Sequence, residues 1–268
     1  MNIFQFEGMK REGRKISMVT CYDTWSARII DKSSVEMILV GDSLSMVMHG
    51  HPTTLSASTE LMALHTAAVA RGAPSKFIVG DMPFPSFRMG IPAAMQCVDA
   101  LMKSGAHSVK LEAVHGHEDV VAHIVGSGVP VMGHLGLTPQ SHFMLGGFRV
   151  QGKTQSEAER IMADALKLQE LGCFALVLEC VPPALAREIT QRLRIPTIGI
   201  GAGPDTDGQV LVLQDMLGMN PDFKPKFLKK YIKGFELIQS ALNEYDHEVK
   251  SGIFPAPEHA YKTPEVTH

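Results

Sequence analysis

Short apolar runs recur along this chain and alternate with longer stretches in which apolar residues return every three or four positions. A brief continuous run suits a strand buried on both faces, and the three-and-four spacing lays an apolar stripe along a helix. Their alternation predicts repeated strand-helix units and a parallel sheet. Strands are expected near 15–21, 35–41, 76–80, 107–111, 129–133, 174–178 and 195–200, with an eighth near 209–214. Helices are expected near 24–33, 58–71, 91–104, 118–126, 155–171 and 183–193. Ser58 stands as an N-cap before Leu61, and Gly105 and Gly172 fall where a helix must stop ahead of the next strand.

Eight such strands with no Pro/Gly/Ser-rich linker between them predict one α/β domain over 1–268, a parallel barrel. The length of 268 residues matches the roughly 250 that such barrels use. A last stripe, Phe227, Tyr231, Phe235, Ile238, Leu242, Tyr245 and Val249, predicts an amphipathic helix near 226–250. It suits either the outer wall of the barrel or contact with another subunit.

The strand ends carry the chemistry. Val40 runs into Gly41-Asp42-Ser43, Val79 into Gly80-Asp81, and later runs finish on Lys110-Leu111-Glu112, Gly133-His134, Leu178-Glu179 and Gly201-Ala202-Gly203. Parallel strands point one way, so side chains at their carboxyl ends gather around one mouth. Asp42 and Asp81 with substrate oxygens and water suit Mg²⁺, and Glu112 can join them directly or through a water. Each aspartate alone would read as a helix N-cap; three acids on three strand ends point to a shared cation. Ser43 and Lys110 complement an anionic substrate. Glu179 follows the apolar run Phe174–Leu178, where burial raises a carboxylate's pKa and makes it a general base, or else leaves it a paired structural glutamate. His134 suits donation to a developing oxyanion, or is a satisfied core histidine. The glycine turn at 201–203 reads as a phosphate cradle or as close backbone packing; no Lys-Ser or Lys-Thr pair follows it as a P-loop requires.

Composition narrows the partners. A net charge of -3 offers no general attraction to nucleic acid or anionic membrane. No run approaches the roughly 18 apolar residues of a membrane helix, and residues 1–15 lack the apolar core of a secretion signal. Cys21, Cys97, Cys173 and Cys180 show no paired spacing, which fits reduced thiols in the cytoplasm and no soft-metal site. The 16 methionines read as core filler.

In order along the chain, Val40-Gly-Asp-Ser-Leu44, Gly80-Asp-Met-Pro-Phe84, Val109-Lys-Leu-Glu112, Gly133-His-Leu-Gly-Leu-Thr-Pro-Gln140, Leu178-Glu-Cys-Val-Pro182 and Ile198-Gly-Ile-Gly-Ala-Gly203 resemble the ketopantoate hydroxymethyltransferase family. The likeness continues through Gly146-Gly147, Asp207-Gly-Gln209, Pro225-Lys-Phe227 and Glu258-His259. It implies a (β/α)8 TIM barrel of the phosphoenolpyruvate/pyruvate type that binds Mg²⁺ and uses 5,10-methylenetetrahydrofolate as one-carbon donor to 3-methyl-2-oxobutanoate. It implies Asp42, Asp81 and Glu112 at the metal, Asp42, Ser43, Asp81 and Lys110 at the substrate, Glu179 as base with His134 beside the developing charge, and a homo-oligomer, typically a decamer. The chain departs from the family's pattern at Ala113-Val114, where a Gly-Gly pair is usual, at Phe148 for Tyr and at Ala260 for Ser. The rival reading, another Mg²⁺-dependent 2-oxo acid lyase or aldolase of the same superfamily, would call for a Lys-Lys-Cys-Gly-His type of loop, and no such string occurs.

Overall fold

A computed structural model describes residues 1–261. Eight strands, β1 Ile16–Thr20, β2 Met37–Val40, β3 Phe77–Asp81, β4 Ser108–Glu112, β5 Val131–Gly136, β6 Ala175–Glu179, β7 Thr197–Ile200 and β8 Gly208–Leu211, pair in sequence order. β1 also pairs with β8, and every pairing is parallel, so the sheet closes on itself. The helices are α1 Ile3–Arg11, α2 Thr24–Asp31, α3 Leu44–Val47, α4 Thr59–Gly72, α5 Ile91–Lys103, α6 Glu118–Gly126, α7 His142–Leu145, α8 Gln155–Glu170, α9 Pro183–Arg192, α10 Leu213–Met216 and α11 Gly234–Ser251. The expected (β/α)8 barrel is present, with each of the eight expected strands within a few residues of its place. Ser58 caps α4 by accepting from the Leu61 N–H, and Gly105 and Gly172 follow α5 and α8 with φ of 102° and 91°.

Inward positions alternate along each strand, and the interior reads as apolar layers capped by polar ends. Met37 and Leu39 of β2, Phe77 and Val79 of β3, Met132 of β5, and Ala175 and Val177 of β6 belong to one buried core. Two positions further on, the same faces present Asp81, His134 and Glu179. The amino-terminal end of this core is filled by Phe6 and Met9 of α1, 0% and 3% exposed, with the Phe6 ring 5.2 Å from that of Phe77. No helix was expected there: residues 1–15 are mostly polar, and a nine-residue helix burying two side chains leaves little periodic signal. A capping box between Asn2 and Gln5 starts it.

The chain divides into two compact units, the barrel from Met1 to Leu213 and a second unit from Gln214 onward. The single-domain expectation therefore describes the first unit. In the second, the helix begins at Gly234 instead of near 226, which leaves Phe227 and Tyr231 outside it. The Tyr231 and Gly234 N–H groups donate to the Met216 and Leu217 carbonyls, which draws this backbone away from helical bonding. On α11, Phe235, Ile238, Leu242, Tyr245 and Val249 are all exposed.

Candidate active site

Strand register assembles the site. Asp81 of β3 lies opposite Lys110 of β4, and Glu112 of β4 lies opposite His134 of β5. Asp42 follows β2 by two residues, and Glu179 ends β6. Asp42, Asp81, Lys110, Glu112 and His134 are all buried, while the Glu179 side chain keeps 19% of its surface exposed. A carboxylate that water still reaches is placed to meet a ligand.

These groups touch one another. Asp81 Oδ1 accepts from Lys110 Nζ at 2.6 Å, and its Oδ2 accepts the Asp42 backbone N–H at 3.2 Å. The His134 ring stands between two acids, Nδ1 3.5 Å from Glu112 Oε1 and Nε2 3.2 Å from Glu179 Oε2. Both contacts lie within ion-pair range but off the line of a hydrogen bond. Arg88 reaches the Glu112 carbonyl at 3.4 Å. The Ser43 hydroxyl, beside Asp42, pairs with the Tyr22 hydroxyl at 2.8 Å.

The electrostatics follow from burial. Desolvation, then the charges of Asp81 and Glu112, raise the Asp42 carboxyl well above its ordinary value, with Lys110 and Gln140 opposing. Lys110 is pushed the other way by burial, yet Asp81, Glu112 and Asp42 outweigh this and hold its pKa above the usual lysine value. Burial and Lys110 disfavour a charged His134, but Glu112 and Glu179 prevail and lift it to about 9. Its place between two carboxylates thus favours the charged form of the ring. Burial and the Glu179 charge push the neighbouring Cys180 thiol up to about 11, which favours its protonated form.

Among the described residues, no group of three or more His, Cys, Asp or Glu side chains stands ready to close on one metal ion. The donors nevertheless suit a hard divalent cation that takes few protein ligands. Four carboxyl groups, Asp42, Asp81, Glu112 and Glu179, gather here around one lysine and one histidine, and burial followed by the neighbouring acids raises the Asp42 pKa. A divalent cation would oppose that rise.

All seven residues singled out from the sequence, Asp42, Ser43, Asp81, Lys110, Glu112, His134 and Glu179, lie at the carboxyl ends of the strands or just beyond them. Two neighbours were missed. Tyr22 follows β1 and was legible as another strand end; Gln140 lies in a loop, is uncharged, and carried no periodic signal, although it closes the Gly133–Gln140 motif. The glycine turn serves packing: Gly203 has φ 82°, and a Cβ there would lie 2.7 Å from Pro183 Cβ.

Comparison with known proteins decides the family. The ketopantoate hydroxymethyltransferase family matches residues 1–257. The chain belongs to that family. It is 59% identical over 263 residues to a 3-methyl-2-oxobutanoate hydroxymethyltransferase of Coxiella burnetii, covering 97% of this chain and 99% of the relative. An enzyme of the same description from Bdellovibrio bacteriovorus is 58% identical over 259 residues, covering 97% and 98%, and one from Francisella tularensis subsp. novicida is 52% identical over 260 residues with the same coverage. Among solved structures, a phosphonopyruvate hydrolase in complex with oxalate and Mg²⁺ superposes with a TM-score of 0.62 at 10% identity, covering 97% of this chain and 93% of that one. A 2,3-dimethylmalate lyase of the PEP mutase/isocitrate lyase superfamily gives a TM-score of 0.57 at 13% identity, covering 98% and 92%. These last two share the fold.

Proposed function

We propose that this enzyme transfers a hydroxymethyl group from 5,10-methylenetetrahydrofolate to 3-methyl-2-oxobutanoate, giving 2-dehydropantoate (ketopantoate) for pantothenate biosynthesis. The observation that carries the reading is the meeting of Asp42, Asp81, Lys110, Glu112, His134 and Glu179 at one end of a barrel in a chain of this family. Asp42 and Asp81 would hold Mg²⁺, with Glu112 joining them directly or through a water. Bound there, Mg²⁺ supplies Lewis-acid chemistry, drawing electrons from the keto group of the substrate.

Lys110 and Ser43 hold the substrate carboxylate. Glu179, still open to solvent, removes the proton from carbon 3. The electron pair left on that carbon forms the bond to the methylene carbon of the folate, and water supplies the hydroxyl as tetrahydrofolate leaves. His134, 3.2 Å from Glu179, keeps that carboxylate aimed. Among the described residues no helix is long and apolar enough to cross a membrane; the proposed reaction on small molecules belongs to the cytoplasm. The exposed stripe on α11 supports a homo-oligomer, with a decamer as the form the family resemblance implies.

The test is isotopic. Glu179→Gln is expected to bind 3-methyl-2-oxobutanoate and Mg²⁺ normally while exchange of the carbon 3 proton for deuterium slows by about 100-fold or more, the usual contribution of a general base. Exchange at the wild-type rate would remove Glu179 from this role. Failure of the wild-type enzyme to consume methylenetetrahydrofolate in the presence of the keto acid would sink the reaction itself.

A further inference from the structure

Gln140 lies on a single 3-10 turn, Pro139–Ser141, in the loop after β5, and is 4% exposed. Its side-chain Nε2 donates to Asp42 Oδ2 at 2.9 Å and to the Met82 carbonyl at 2.9 Å. Its backbone N–H donates to Glu112 Oε2 at 3.0 Å. The amide orientation is determined, because a carboxylate and a carbonyl can only accept, so the nitrogen must face both. Both of its hydrogens are then committed. Oε1 is left buried without a protein donor, an arrangement that costs free energy unless a ligand or water donates to it.

One residue therefore joins an acid just past β2, an acid of β4 and the chain just past β3. Among the described residues, the Gln140 amide is the hydrogen-bond donor to the Asp42 carboxylate, while the Asp42 bond to Asp81 uses its backbone N–H. We propose that Gln140 is the positioning residue that aims the Asp42 carboxylate at the divalent cation, so that its amide sets cation affinity. This rests on the reading above that Asp42 holds the cation.

Direct titration of Mn²⁺ into the cation-free enzyme, followed by calorimetry, tests it without relying on turnover. Gln140→Met keeps the length of the side chain and removes both donors, while the backbone bond to Glu112 survives. The expected result is a dissociation constant raised about 10- to 100-fold, the usual cost of losing a group that orients a metal ligand. Gln140→Glu, which keeps polarity and size but loses the amide donor, should weaken binding as well, and it gives the same readout should Gln140→Met fail to fold. Asp42→Asn should also weaken binding, and adding Gln140→Met to it should cost almost nothing more, because the two act as one unit.

The alternatives separate cleanly. If Asp42→Asn binds Mn²⁺ as the wild type does, the assignment of Asp42 to the cation fails, and this proposal with it. If Asp42→Asn loses affinity while both Gln140 variants retain it, Gln140 is not the positioning residue and Asp42 keeps its role. Additive losses in the double variant would also overturn the proposal, since Gln140 would then act by a route that does not pass through Asp42.

Discussion

Ala113 follows Glu112 directly and has φ 62°, in the left-handed region that residues with a Cβ rarely adopt. The family's usual glycine would sit there without strain. Its N–H donates to the His134 carbonyl at 2.9 Å, so the same turn that ends β4 also ties it to β5 behind the site. Ala113→Gly is expected to leave stability within about 0.5 kcal/mol, because relief of strain is offset by the freedom glycine gains when unfolded. Ala113→Val, β-branched at a positive φ, should cost about 2 kcal/mol or more in urea unfolding. Equal stability of the two variants would show that this turn is no constraint. Gly136 marks the matching point on β5: with φ 95°, any Cβ there would collide with the Glu179 carbonyl oxygen, so Glu179 is seated against a position that only glycine can fill.

Among the elements, α11 has the plainest unmet need. Its stripe is apolar by sequence and exposed by structure, and each large side chain that gains cover adds about 1.5–3 kcal/mol. Leu242→Asp is expected to lower the molar mass seen by light scattering at micromolar protein while the helical circular dichroism is kept. An unchanged mass would argue against a subunit contact through this stripe. The strands were legible because buried parallel strands are continuous apolar runs, and the chemistry was legible because Asp81, His134 and Glu179 interrupt the apolar inward pattern two positions past its last apolar member. α1 and Gln140 were not. The first is too short to show a period, and the second depends on how a loop folds back over three strand ends, which no local pattern encodes.

For the molecule as a whole, the site makes stability depend on pH. His134 is lifted from 6.5 to about 9, so its contribution is fully present below about 6.5 and is lost as the pH climbs through 9. Asp42, also raised, acts in the same direction: ionising it in the folded protein costs more than in the unfolded chain. The cation-free enzyme should therefore lose up to about 3 kcal/mol of unfolding free energy between roughly pH 6.5 and 9.5, the value of the His134 shift. His134→Gln should flatten this slope, and saturating Mg²⁺ should restore stability at the alkaline end. Parallel slopes for wild type and variant in urea titrations would remove His134 as the cause.

Phe6 and Met9 stopper the amino-terminal end of the barrel, so traffic to the acids runs through the opposite rim. With one end closed, a reactant that covers the opposite rim also shuts in whatever has bound beneath it.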